Sequence, residues 1–129
     1  VVGADGKSYS LRDLYNEKPV VLCFWAPWSS LSKEQLPIMD ELYATYGRDV
    51  YFVMACVERK DLDALAARWN YDMPFYSVSY SVMDDYNVYA VPMVYVIERY
   101  GKIYTSYKGV VKERKLSYMI RQALQGDSR

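Results

Sequence analysis

Phe24-Trp25-Ala26-Pro27-Trp28-Ser29-Ser30-Leu31-Ser32-Lys33-Glu34-Gln35-Leu36-Pro37 is the stretch on which the reading of this chain turns. It joins a continuously apolar, β-rich run, Val20 to Trp25, to a segment with helical periodicity. A strand that ends where a helix begins presents free backbone N–H groups and the positive end of a helix dipole. Such a junction favours an anion, a thiolate among them.

The pattern extends outward on both sides. Before the junction, Asp5-Gly6-Lys7 reads as a turn, and Ser10 as the cap of one short helical turn that stops at Lys18-Pro19. After it, a long helix is expected from about Ser32 to Tyr46, with Leu36, Met39, Leu42, Tyr43 and Tyr46 on one stripe. Gly47 supplies its stop, and Pro37 should bend it near its first turns. Val50 to Val57 reads as a second buried strand, and Asp61 as the cap of a helix carrying Leu62, Leu65, Ala66 and Trp69. Phe75 to Val78 is a short strand and Met83 to Asn87 a weak helical turn. Met93 to Ile97 and Lys102 to Tyr107 form an antiparallel hairpin around Glu98-Arg99-Tyr100-Gly101, and a last helix runs from about Lys112 to Gln125. Strand, helix, strand, helix, hairpin, helix implies an α/β domain whose mixed central sheet is sandwiched by helices.

Composition bounds the chemistry. The 129 residues fit a single domain, 1–129, with no repeat and no linker. Sixteen basic and sixteen acidic side chains cancel, which argues against a nucleic-acid or anionic-membrane binder. The longest apolar stretch, Pro19 to Trp28, is about half of what a bilayer crossing needs. The chain begins at Val1 without a methionine, so membrane attachment is expected only through a removed N-terminal leader or anchor. Histidine is absent, which excludes Ser-His-Asp and Cys-His nucleophiles and imidazole metal sites. Cys23 and Cys56, each inside an apolar run, make neither a disulfide framework nor a zinc site and read as inert core thiols. No calcium loop, phosphate loop or dinucleotide fingerprint is present, so no metal and no cofactor is expected.

The junction resembles the active-site segment of TlpA/ResA-like thiol-disulfide oxidoreductases, whose signature reads F-W-A-x-W-C-x-x-C-x-x-E-x-P. DGKSYSLRDLYNEKPVVL (5–22) is similar to that family's opening strand and turn, and YNVYAVPMVYVIERYGKI (86–103) to its segment around a cis-proline. The resemblance runs from about Asp5 to Leu124 and implies a thioredoxin fold with an N-terminal strand/turn extension. It also implies a place outside the cytoplasm, periplasmic or membrane-tethered, where relatives reduce disulfides in cytochrome c maturation and related pathways. It places the cis-proline at Pro92 and a peptide groove at Trp28, Val91, Pro92 and Tyr89.

Both redox-cysteine positions, however, hold serine, Ser29 and Ser32. A serine hydroxyl stays protonated at neutral pH and forms no disulfide, so the chain has no catalytic residue of the family kind. Ser29 reads instead as a helix cap. Two accounts compete: a laboratory Cys→Ser pair in an active oxidoreductase, or a natural homologue without redox cysteines. Leu31, where proline is common, and Gln35, where relatives carry a tuning glutamate, depart from the pattern as well, and four linked departures favour natural loss. The expectation is a redox-inactive module that binds a peptide or protein partner beside Pro92. A peroxiredoxin-like reductase ranks last, since it needs a cysteine at the start of the long helix. Of the clustered tyrosines Tyr71, Tyr76, Tyr80, Tyr86, Tyr89 and Tyr95, most should be half-buried structural positions, with Tyr89 the exception.

Overall fold

The computed structural model describes residues 1–3, 6–57 and 71–127. The turn expected at Asp5 and the helix expected from Asp61 to Trp69 lie wholly or partly outside them. The described residues form β1 (Val2–Gly3), α1 (Leu11–Glu17), β2 (Val20–Trp25), α2 (Ser30–Tyr46), β3 (Tyr51–Cys56), β4 (Phe75–Ser77), α3 (Tyr80–Asp85), β5 (Met93–Ile97), β6 (Ile103–Lys108) and α4 (Glu113–Asp127). One mixed sheet runs β1-β4-β3-β2-β5-β6. β2, β3 and β4 are parallel, while β1, β5 and β6 join antiparallel. This is the thioredoxin fold with its short N-terminal strand.

β2 is buried along its whole length because both sheet faces are covered. Val21, Cys23 and Trp25 point to the face carrying α2 and α4, together with Phe52, Met54, Cys56, Val94 and Val96. Val20, Leu22 and Phe24 point to the other face, with Val53, Ala55, Tyr95 and Ile97, under Leu14 of α1, the half-buried Val82 and Met83 of α3 and Tyr86 just after it. Period-two alternation within one apolar run therefore fills two cores, and each fully buried large aliphatic side chain contributes about 1.5–3 kcal/mol.

Three elements differ from the sequence reading. Helix α2 starts at Ser30, two residues earlier than expected, because Ser29 is its cap and Ser30 and Leu31 belong to its first turn. It continues through the exposed Pro37, which has no N–H to donate to the Lys33 carbonyl. α3 covers Tyr80–Asp85 rather than Met83–Asn87, since Ser79 accepts from the Val82 N–H at 3.3 Å and starts the helix early. β6 is shifted by one residue toward its C-terminal end, with a register irregularity between Val96 and Ile97. Gly47 ends α2 in a right-handed conformation, and a Cβ there would stand 2.6 Å from the Tyr43 carbonyl oxygen. The glycine is needed for space.

Candidate functional site

The junction closes on itself through its serines. Ser29 Oγ accepts from the Ser32 N–H at 3.2 Å, and Ser32 Oγ accepts from the Ala26 N–H at 3.2 Å. The Ser29 N–H in turn donates to the Ala26 carbonyl at 3.2 Å. Ser32 is fully buried, whereas Ser29 is half-buried. Ser29 thus takes up a first-turn N–H of α2 and Ser32 the buried N–H of Ala26 in the loop before it, which makes each a structural acceptor. Neither has a histidine to deprotonate it, because the chain contains none.

Opposite the junction, the Val91–Pro92 peptide bond is cis. Pro92 is buried, and its carbonyl accepts from the Gly109 N–H at 2.9 Å. No described residue hydrogen-bonds the backbone N–H or carbonyl of Val91. Beside it lies an open cleft of about 220 Å³ lined by Trp28, Val57, Met83, Val88, Tyr89, Ala90 and Val91. Trp28 is 68% exposed and Tyr89 65% exposed, so the rim carries two aromatic rings in water. The Lys108 ammonium stands 5.2 Å from the centroid of the Tyr89 ring.

The structure therefore brings Trp28, Val91 and Tyr89 together around one cleft, while Pro92 sits behind it as buried support. Sequence reasoning missed Val57, Met83, Val88 and Ala90. Met83 and Val88 flank the end of α3, and a Ser79 cap read from the sequence would have placed that helix. Tyr80 is 73% exposed and joins Tyr89 as a solvent-facing tyrosine, whereas Tyr76 and Tyr95 are buried. Tyr86 packs edge-on to Tyr95 with centroids 5.1 Å apart, and the Tyr95 hydroxyl donates to the Tyr86 carbonyl. Burial, first of all, pushes both phenols above their usual range.

Gln35 lies on the buried face of α2 with Ser32 and Leu36. It is fully buried, accepts from the Val111 N–H at 2.7 Å and donates to the Val111 carbonyl at 3.0 Å. An amide with both ends engaged by backbone neither titrates nor moves protons.

Cys23 and Cys56 are both buried, and neither is in a disulfide. Burial pushes the Cys23 thiol well above its ordinary range. The β2–β3 register pairs Cys23 with Met54 and Trp25 with Cys56. A two-residue offset across adjacent strands puts the Cα atoms about 8 Å apart, beyond the ~7 Å that a disulfide spans. A relocated redox pair is not built here.

Among the described residues, no group of three or more His, Cys, Asp or Glu side chains is placed to hold a metal, and no helix is long and apolar enough to cross a membrane.

A family model described as AhpC/TSA matches residues 1–106. "Thioredoxin-like protein YneN" of Bacillus subtilis is 27% identical over 116 residues, 86% of this chain and 68% of that protein. "Thiol-disulfide oxidoreductase ResA" of Bacillus cereus is 25% identical over 126 residues, 95% of this chain and 72% of that protein. Among solved structures, the exposed lipoprotein thioredoxin Etrx1 of Streptococcus pneumoniae superposes with a TM-score of 0.81 at 24% identity, covering 95% of this chain and 96% of that one. A thiol:disulfide interchange protein of Chlorobium tepidum gives 0.82 at 20% identity, covering 96% and 91%. At these identities the superpositions establish the fold alone.

Proposed function

The chain belongs to the AhpC/TSA family, and within its thioredoxin-like, thiol-disulfide-oxidoreductase-related group we propose that it is a redox-silent module holding an extended peptide or protein segment in the Trp28–Val91 groove. The observation that carries this reading is the Val91 backbone, unpaired among the described residues, beside the exposed Trp28 and an apolar cleft, next to a junction that carries serine at positions 29 and 32. An extended chain adding itself to the Val91 backbone gains main-chain hydrogen bonds, and the cleft accepts one of its apolar side chains. Thiol-disulfide exchange needs a thiolate, and the family's two positions offer none. The place of work is proposed to be outside the cytoplasm, in keeping with the exposed lipoprotein among its structural neighbours.

The second reading is an oxidoreductase in Cys→Ser form. The observation favouring it is the burial asymmetry, Ser29 half-buried and Ser32 enclosed, a layout that would leave one sulfur accessible and its partner protected.

One experiment separates the two. The protein and its Ser29→Cys/Ser32→Cys form are compared in a disulfide-reduction assay with dithiothreitol as donor, and in binding to permanently unfolded, carboxymethylated α-lactalbumin. The proposed function expects a silent parent that binds, and a double variant with little turnover. A fast double variant with a parent that does not bind establishes the disabled enzyme instead. Parental reductase activity would overturn both readings and move the chemistry to Cys23 or Cys56.

A further inference from the structure

Gln35 is joined to the groove by a short chain of contacts. Its amide pairs with both backbone groups of Val111, at 2.7 and 3.0 Å, across 76 residues of sequence. Two residues before Val111, the Gly109 N–H donates to the Pro92 carbonyl at 2.9 Å. One residue earlier still, Lys108 stands 5.2 Å from the Tyr89 ring centroid. The segment 108–111 thus has two attachments to the groove wall and one to the interior of α2. The assignment of the amide is unambiguous, because reversing it would face donor to donor and acceptor to acceptor.

We propose that Gln35 is the positioning residue of the groove: its neutral amide anchors the segment 108–111, and through it Pro92 and Tyr89, so that the groove keeps one shape between about pH 5 and about pH 7.5. This rests on the peptide-groove reading. Val111 requires a partner that donates and accepts at once, buried from water. Glutamine does so in every protonation state of its surroundings. A glutamate does so only while protonated; ionised, it is acceptor-only and sets a negative oxygen against the Val111 carbonyl. A methionine of similar length offers neither bond.

Among the described residues, the charged and titratable groups on the surrounding elements are Lys33, Glu34, Asp40, Glu41, Tyr43 and Tyr46 of α2, Tyr107, Lys108, Lys112, Glu113, Arg114, Lys115, Tyr118 and Arg121 around the anchored segment and α4, and Cys23 and Cys56 on the sheet face beneath. A hydrogen bond and the charge of Glu41 hold the Glu113 carboxyl above its ordinary range, so the unaltered protein is the reference at each pH.

The test measures binding of fluorescein-labelled, carboxymethylated α-lactalbumin at about pH 5 and about pH 7.5, together with the hydrogen-exchange protection factor of the Gly109 amide, for the protein, Gln35→Glu and Gln35→Met. The protein should bind equally at both pH values. Gln35→Glu should bind about tenfold more weakly near pH 7.5 and recover near pH 5, with Gly109 protection falling and returning in parallel. Gln35→Met should be weaker at both, without recovery. Gln35→Glu with unchanged binding and protection, or with a loss that acid does not reverse, overturns the proposal. If Gln35→Glu does not fold, Gln35→Met decides alone: parental binding and parental Gly109 protection refute it. If the parent itself does not bind, the peptide-groove reading has failed, and Gly109 protection in the variants still judges the anchor.

Discussion

Replacing Ser32 with alanine removes one oxygen from the centre of the junction. That oxygen accepts from the Ala26 N–H at 3.2 Å, and both residues are completely shielded from solvent. The alanine variant leaves a buried N–H without its acceptor, a cost of about 1–3 kcal/mol. Alanine's better helix propensity returns a few tenths, roughly 0.5 kcal/mol at most. The net expectation is a loss of about 0.5–2.5 kcal/mol. Ser29→Ala removes a cap from a half-buried position, where water can reach part of the site, and should cost about 1 kcal/mol. Urea unfolding followed by tryptophan fluorescence reads both. With a slope of about 1–3 kcal/mol per molar urea, Ser32→Ala should lower the midpoint by about 1 M at unchanged slope, and Ser29→Ala by less. The two serines share the Ala26–Ser29–Ser32 set of bonds, so the double variant should depart from additivity. A Ser32→Ala midpoint equal to or above the parent's would refute the claim that these serines are structural acceptors.

The remaining expectations concern other parts of the molecule. A thiol reagent such as iodoacetamide should label neither Cys23 nor Cys56 in the native protein and both after denaturation, since both are buried and burial raises the Cys23 thiol; rapid native labelling would contradict the core assignment. Gly101→Ala should cost about 1–3 kcal/mol, because Gly101 has φ +103° and a Cβ would meet the Tyr15 ring at 2.8 Å; thermal unfolding checks it. Trp28→Ala should leave stability within about 0.5 kcal/mol, as expected for a side chain largely in water, while weakening binding of unfolded α-lactalbumin; equal binding would remove Trp28 from the groove. Glu41→Gln should return the raised Glu113 pKa toward the ordinary carboxylate range in a carboxyl 13C titration. Because that pKa is raised, any stability it contributes is present in acid and declines as pH rises through it.

Much of the architecture was legible locally. Val20–Trp25 and Met93–Ile97 have the bounds that their apolar runs predict, and Ser10 caps α1 by accepting from the Asp13 N–H at 3.4 Å. The α2 stripe was legible only for its apolar members. Ser32 and Gln35 share that buried face with Leu36, Met39 and Leu42, yet polar residues carry no hydrophobic signal, so their burial was invisible in the periodicity. α3 was placed late for a related reason. It buries no residue completely, so its stripe is faint and its position is set by the Ser79 cap.

The serines at positions 29 and 32 and the absence of histidine are matters of sequence alone, because no fold supplies a thiolate at those two positions or an imidazole in a chain without histidine. The order of α1, β2, α2, β3, β4, β5, β6 and α4 likewise follows from local periods of 2 and 3.6 residues. What only the tertiary structure decided are relations between distant residues. Cys23 and Cys56 are kept apart by a two-residue offset in the β2–β3 register. Gln35 is neutral by sequence, but its two bonds to Val111 exist only because α2 and the start of α4 pack on the same face of the sheet. The cleft gathers Trp28, Val57, Met83 and Val88–Val91 from four separate segments. A local period tells which face of an element is buried; the partner it meets there is chosen by the packing of the whole chain.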